Sequence, residues 1–346
     1  MQEENNAGYT KKVAVFWLAM TTASVFAGGQ SGDVGTNVRH AGVFRSLGNP
    51  YVEKEISGWE AGIKEQGFTA IARAPNTPTV EAQIELVDQL ITQRVATIAI
   101  AANDLDALQP VLTKAMNHGI KVYSLDAAVN PQSRMTHVNQ ADSEKIGITL
   151  VEAACDMCGG SGEFAILSAT SQASNQNLWI DYMKKELEKP KYSNLNLVKV
   201  VYGDDLRDKS VSETEGLLLS YPNLKCIVAP TTVGIAAAAK AISDKGLQGE
   251  IFITGLGLPS EMAEYIDNGA CPYMYLWNPI DVGYLSAYVA TALSSGKITG
   301  KAGEQFSAGR LGNYTIVAAP DGGTEILLGP PYRFDKTNIG EWKTVY

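Results

Sequence analysis

From residue 40 onward, short apolar runs rich in β-branched residues alternate with longer stretches whose apolar positions recur every three or four residues. Branching at Cβ crowds a helix and suits a pleated strand, so the short runs predict strands. These lie at residues 41–44, 68–72, 97–101, 121–125, 163–167, 197–202, 225–229, 251–255 and 273–277. The intervening period of about 3.6 predicts helices at residues 51–65, 80–93, 105–117, 143–158, 175–188, 210–220, 233–244, 260–268 and 282–293. Such alternation is the signature of βα units, an α/β fold in which helices cover both faces of a parallel sheet.

The tally exceeds one sheet, and 346 residues exceed what one hydrophobic core usually organises. The pattern therefore predicts two doubly wound parallel-sheet lobes joined by a multi-crossing hinge. After the turn containing Pro131 the strand–helix count restarts, placing a boundary near residues 139–142. A second break falls at Asn278-Pro279, and residues 314–317 and 325–328 resemble short strands crossing back. The expected division is an N-terminal lobe of residues 40–140 plus 279–312 and a C-terminal lobe of residues 141–278 plus 313–346.

Ahead of the lobes, Lys11 and Lys12 precede the apolar run at residues 13–20, and Val25-Phe26-Ala27 ends in small residues. That order predicts a signal peptide over residues 1–27, cleaved after Ala27 in an exported protein, with a Gly-rich linker over residues 28–39. The net charge of −9 leaves no basic stripe for releasing phosphate counterions, so nucleic acid is not an expected partner. Cys155 and Cys158 form a CxxC with no second pair to complete a zinc set, and Cys226 and Cys271 lie in apolar runs, where a thiol behaves as a small hydrophobe.

In open α/β sheets, ligands bind beyond the carboxyl ends of the strands. Just past those ends stand Arg45, Asn49, Tyr51, Asn103, Asp104, Asp126, Asn175, Gln176, Pro230, Thr231, Thr232, Trp277 and Asn278. Amides, hydroxyls, a carboxylate and a guanidinium can engage vicinal hydroxyl groups, while aromatic rings cover C–H faces. Several of these residues also suit helix caps: Asn103 or Asp104 before residue 105, Ser174 or Asn175 at the next lobe's helix 175–188, Thr231 or Thr232 before residue 233. Capping does not account for Arg45, Asp126 and Trp277 together.

Catalytic and cofactor motifs are absent from the sequence. The first βα turn has no G-x-G-x-x-G, no P-loop occurs, no serine sits in a nucleophile elbow, and the histidines are only His40, His118 and His137. A binding protein without cofactor or metal is expected, not an enzyme. A sugar-sensing transcription regulator of similar lobes would need DNA-binding helices ahead of them, and residues 1–39 are Gly-rich with an apolar run instead.

Longer runs make the picture more specific: Ser46-Leu47-Gly48-Asn49-Pro50-Tyr51, Ala102-Asn103-Asp104, Ser168-Ala169-Thr170 with Asn175-Gln176-Asn177, Tyr202-Gly203-Asp204-Asp205, Ala229-Pro230-Thr231-Thr232-Val233-Gly234, Gly255-Leu256-Gly257-Leu258-Pro259, and Trp277-Asn278-Pro279-Ile280-Asp281. Through these runs the chain from residue 41 onward resembles the periplasmic sugar-binding proteins of the type I, ribose-binding superfamily, in the branch that binds rhamnose or autoinducer-2. The resemblance implies a monomer that delivers a small sugar to the membrane permease of an ABC importer. The autoinducer-2 receptors carry Lys, Asp, Asp, Gln, Pro and Ala where this sequence has Arg45, Asp126, Asn175, Gln176, Pro230 and Thr232. Three of the six differ, and residues 229–234, 255–262 and 277–281 look most like the rhamnose-binding members, so the resemblance implies rhamnose as the sugar.

Overall fold

The computed structural model describes residues 38–346. The expected signal peptide and all of the expected linker up to residue 37 lie outside the described residues; Arg39, assigned to the linker, instead opens the first strand. The chain begins β1 (Arg39–Val43), α1 (Pro50–Glu65), β2 (Thr69–Arg73), α2 (Val80–Thr92), β3 (Thr97–Ile100), α3 (Gln109–Asn117), β4 (Lys121–Leu125) and β5 (His137–Asn139). It continues α4 (Ser143–Met157), β6 (Gly162–Ser168), α5 (Ser174–Leu187), β7 (Leu195–Tyr202), α6 (Arg207–Ser220), β8 (Leu224–Ala229), α7 (Thr232–Asp244), β9 (Phe252–Gly255), α8 (Pro259–Asn268) and β10 (Tyr273–Leu276). The last part is α9 (Pro279–Ser294), β11 (Gln305–Ser307), β12 (Asn313–Thr315), β13 (Val317–Ala318), β14 (Thr324–Leu327), β15 (Tyr332–Asp335) and α10 (Ile339–Trp342).

Among the described residues, two main sheets form. The first runs β13-β14-β5-β4-β3-β1-β2 and is parallel except for β13; the second runs β7-β6-β8-β9 and is parallel throughout. Strands β3 and β8 are buried almost along their whole length, the burial pattern of strands covered on both faces, which is why they read as continuous apolar runs. A bridge from Leu256 to Tyr275 sets β10 beside the second sheet, and β15 pairs antiparallel to β10.

Helices α1 and α9 meet backbone to backbone. A Cβ on Gly58 would stand 1.9 Å from the Ile280 carbonyl oxygen, and one on Gly283 would stand 1.9 Å from the Glu55 carbonyl oxygen. Glycine at both positions is a packing requirement, and it fixes α9 to the first lobe after the chain has visited the second. Both helices start the same way. Asn49 and Asn278 each accept a hydrogen bond from the amide two residues on, and Pro50 and Pro279 occupy the first turn, where a missing N–H costs nothing.

Three expectations are corrected. Residues 313–328 do not return to the second lobe: β14 lies parallel to β5 in the first sheet, with Glu325 opposite His137 and Leu327 opposite Asn139, and Ile326 is fully buried there. The final crossing therefore follows Leu327. Residues 105–108 are not helical, because the Asp104 carboxylate accepts from the amides of Asp106 and Ala107 and closes a turn. The strand expected at 314–317 is two separate pieces, β12 and β13.

Candidate functional site

Crossings between the lobes occur, among the described residues, at residues 139–143, 276–279 and 327–332. The carboxyl ends of both parallel sheets face a common cavity that is partly open to solvent. The first lobe supplies Arg45 and Asn49 from the β1–α1 turn, Tyr51 from the first turn of α1 and Asp126 from the end of β4. The second supplies Asn175, Gln176 and Trp179 from the start of α5, Asp205 from the β7–α6 turn, and Pro230, Thr231 and Thr232 after β8. Trp277 stands at the crossing that follows β10.

Asp126 takes the left-handed conformation, with φ of 56°, which Asp tolerates better than most residues because its short polar side chain can bond locally. Its amide donates to the Val138 carbonyl, and its side chain, 5% exposed as a residue, accepts from the Tyr51 hydroxyl at 3.0 Å. The Trp277 indole N–H in turn donates to the Tyr51 hydroxyl at 2.7 Å. Tyr51 thus has its lone pair taken and its proton directed at Asp126. Burial pushes the Asp126 carboxyl above the ordinary carboxylate range, and the Arg45 charge and the Tyr51 hydroxyl oppose that rise. Burial likewise raises the Tyr51 phenol, so it donates as a neutral hydroxyl.

Arg45 is held from behind. Its Nε donates to Asn103 Oδ1 at 3.3 Å, while Asn103 Nδ2 donates to the Arg45 carbonyl at 3.0 Å. The outer end of the guanidinium faces the second lobe, with Nη2 4.0 Å from Asp205 Oδ2. Asp205 also accepts from the Thr231 hydroxyl at 2.5 Å. A second contact across the lobes runs from the Ser174 hydroxyl to the Ala128 carbonyl at 3.0 Å. Gln176 Oε1 accepts from both the Ser168 hydroxyl and the Ala169 amide at 2.8 Å, which fixes the amide flip and leaves its Nε2 as the donor for the cavity. Trp179 and Trp277 pack edge to face, with ring centroids 5.7 Å apart, and form the apolar wall.

Of the residues singled out in the sequence, Arg45, Asn49, Tyr51, Asp126, Asn175, Gln176, Pro230, Thr231, Thr232 and Trp277 line this cavity. Asn103 sits behind Arg45, Asp104 closes its turn, and Asn278 caps α9 through Ile280, so these three serve positions around the cavity instead of its surface. Sequence reasoning missed Asp205 and Trp179. Asp205 follows the end of β7 much as Asp126 follows β4, also with positive φ, and Trp179 lies one helical turn beyond Asn175 and Gln176.

The profile of the periplasmic binding protein domain matches residues 41–298. The chain belongs to the periplasmic binding protein family. A solved structure of an ABC transporter solute-binding protein from Clostridium phytofermentas with bound L-rhamnose is 50% identical, covers 90% of this chain and 100% of that one, and superposes with a TM-score of 0.88. LsrB from Clostridium saccharobutylicum in complex with AI-2 is 20% identical, with 88% of this chain and 99% of that one covered and a TM-score of 0.82, and so shares the fold. The D-ribose/D-allose-binding protein of Pseudomonas aeruginosa is 25% identical over 232 residues, 63% of this chain and 70% of that protein.

Proposed function

We propose that this chain captures a neutral deoxy sugar, L-rhamnose, between its lobes and delivers it to the membrane permease of an ABC importer. The observation that supports this most is a cavity of sugar-recognising groups divided between two lobes, in a chain 50% identical to a solute-binding protein with L-rhamnose bound. Asp126 and Asp205 accept from sugar hydroxyls, Arg45 and Gln176 Nε2 donate to hydroxyl or ring oxygens, and the tryptophan pair takes the methyl group and the C–H face. Closing the lobes strips water from these groups, so a sugar that leaves one of them unpaired loses affinity steeply. The protein works outside the cytoplasm and as a monomer. Titration calorimetry with L-rhamnose, D-ribose and autoinducer-2 tests the reading: L-rhamnose should bind tightest, and preference for either of the others overturns the choice of ligand.

A further inference from the structure

Below the floor of the cavity lies a carboxyl group that ligand capture does not use. Glu55 is one helical turn beyond Tyr51 on α1 and is 1% exposed, and neither of its carboxyl oxygens finds a hydrogen-bond partner among the described residues. The charged groups that act on it come from separate elements: Asp126 from the end of β4 and Arg45 from the β1–α1 turn. Its own helix contributes the Tyr51 phenol. Helix α9, packed on the same turn, presents Gly283 to the Glu55 backbone, and the carboxylate nearby on α9, Asp281, is engaged with Arg310. Asp205 acts at one remove, through Asp126.

Counted by charge, three carboxyl groups, Glu55, Asp126 and Asp205, share the single guanidinium of Arg45. Arg45 is committed by geometry to Asn103 and to the Asp205 side of the cleft. We propose that Glu55 is a positioning residue that stores a proton beneath the binding site, so that Asp126 is the carboxylate of the pair and Arg45 stays directed at the cleft. Ionising Glu55 would place a second buried anion beside Asp126, and each carboxyl makes it harder for the other to lose its proton. Burial pushes the Glu55 carboxyl well above its ordinary range, and the Asp126 charge adds to that rise, while Arg45 opposes it. The role assigned to Asp126 rests on the sugar-binding reading; the proton on Glu55 does not.

Urea unfolding of the full chain without sugar, from pH 5 to 8, tests the proposal on wild type and Glu55→Gln, with Glu55→Met as the neutral replacement if the amide variant fails to fold. A carboxyl raised in the folded protein binds a proton that the unfolded chain, titrating near about 4.3, has already released. Its stability contribution is present at acid pH and is lost as the pH rises from that value toward the folded one. The unfolding constant of wild type should therefore grow, relative to the variant, by up to about tenfold per pH unit as the pH rises above the unfolded value. In an Asp126→Asn background the growth should stop at a lower pH, because the neighbouring anion is gone. A ratio that stays flat with pH overturns the stored proton, and growth unaltered by Asp126→Asn overturns the link between the carboxyl groups. No arm contains sugar, so failure to bind L-rhamnose would count against the ligand alone.

Discussion

Replacing Asp126 by Asn and by Ala separates its charge from its backbone role. Asn tolerates the left-handed conformation found here, with φ of 56°, and its oxygen can still accept from Tyr51. What it loses is the charge. A hydrogen bond to a carboxylate is worth roughly 1.5–3 kcal/mol against about 0.5–1.5 for a neutral acceptor, so two sugar hydroxyls forfeit together about 2–3 kcal/mol. That is roughly a thirty- to hundredfold weaker Kd. Ala loses both bonds outright, about 3–6 kcal/mol and at least a hundredfold, and in addition leaves the Tyr51 hydroxyl without its acceptor. It also adds about 1–2 kcal/mol of left-handed strain, which appears in the melt and not in the sugar affinity. The assay is titration calorimetry with L-rhamnose beside a thermal melt, repeated from pH 4 to 7. Binding needs the carboxylate, so wild-type affinity is present above the raised Asp126 pKa and falls as the pH drops through it, by about tenfold per unit, whereas the Asn variant shows no such limb. If both variants bind within threefold of wild type, Asp126 only shapes its turn and the reasoning fails.

Three further outcomes can be checked. Gly58→Ala forces a methyl group against the Ile280 carbonyl and should destabilise the fold by about 1–3 kcal/mol in urea; an unchanged midpoint would mean that α1 and α9 separate freely. Asn103→Ala removes the acceptor that orients Arg45 and should weaken sugar binding by roughly tenfold, about one hydrogen bond, and full affinity would show that Arg45 needs no support. Small-angle scattering should give a smaller radius of gyration with saturating sugar, and an unchanged radius despite measured binding contradicts closure about the hinge.

The central strands were legible because parallel strands covered on both faces concentrate β-branched residues, as in β3 and β8. The short strand His137–Asn139 was not, since three residues flanked by polar positions give no period. The tail was misplaced for a related reason: the lobe that owns residues 324–327 is decided by pairing with β5, about 186 residues earlier in the chain. Leu105 and Leu108 mimic a helical face, and only the Asp104 turn reveals that they precede the helix. Within the site, position past a strand end singled out Arg45 and Asp126. It could not separate Asn49, which both caps α1 and lines the cavity, from Asn278, which caps α9 away from it.

The pairing of β14 with β5 has a mechanical consequence. The two segments leave the first sheet side by side, joined by the bond from the Leu328 amide to the Asn139 carbonyl and by the Asn139 side chain on Glu325. Two of the three connections between the lobes therefore form a ribbon instead of independent cords. A ribbon bends readily about an axis across its width and resists bending and shear in its own plane. Closure of the lobes would thereby be confined to a narrower path, and the groups on either side of the cleft would meet in the same register.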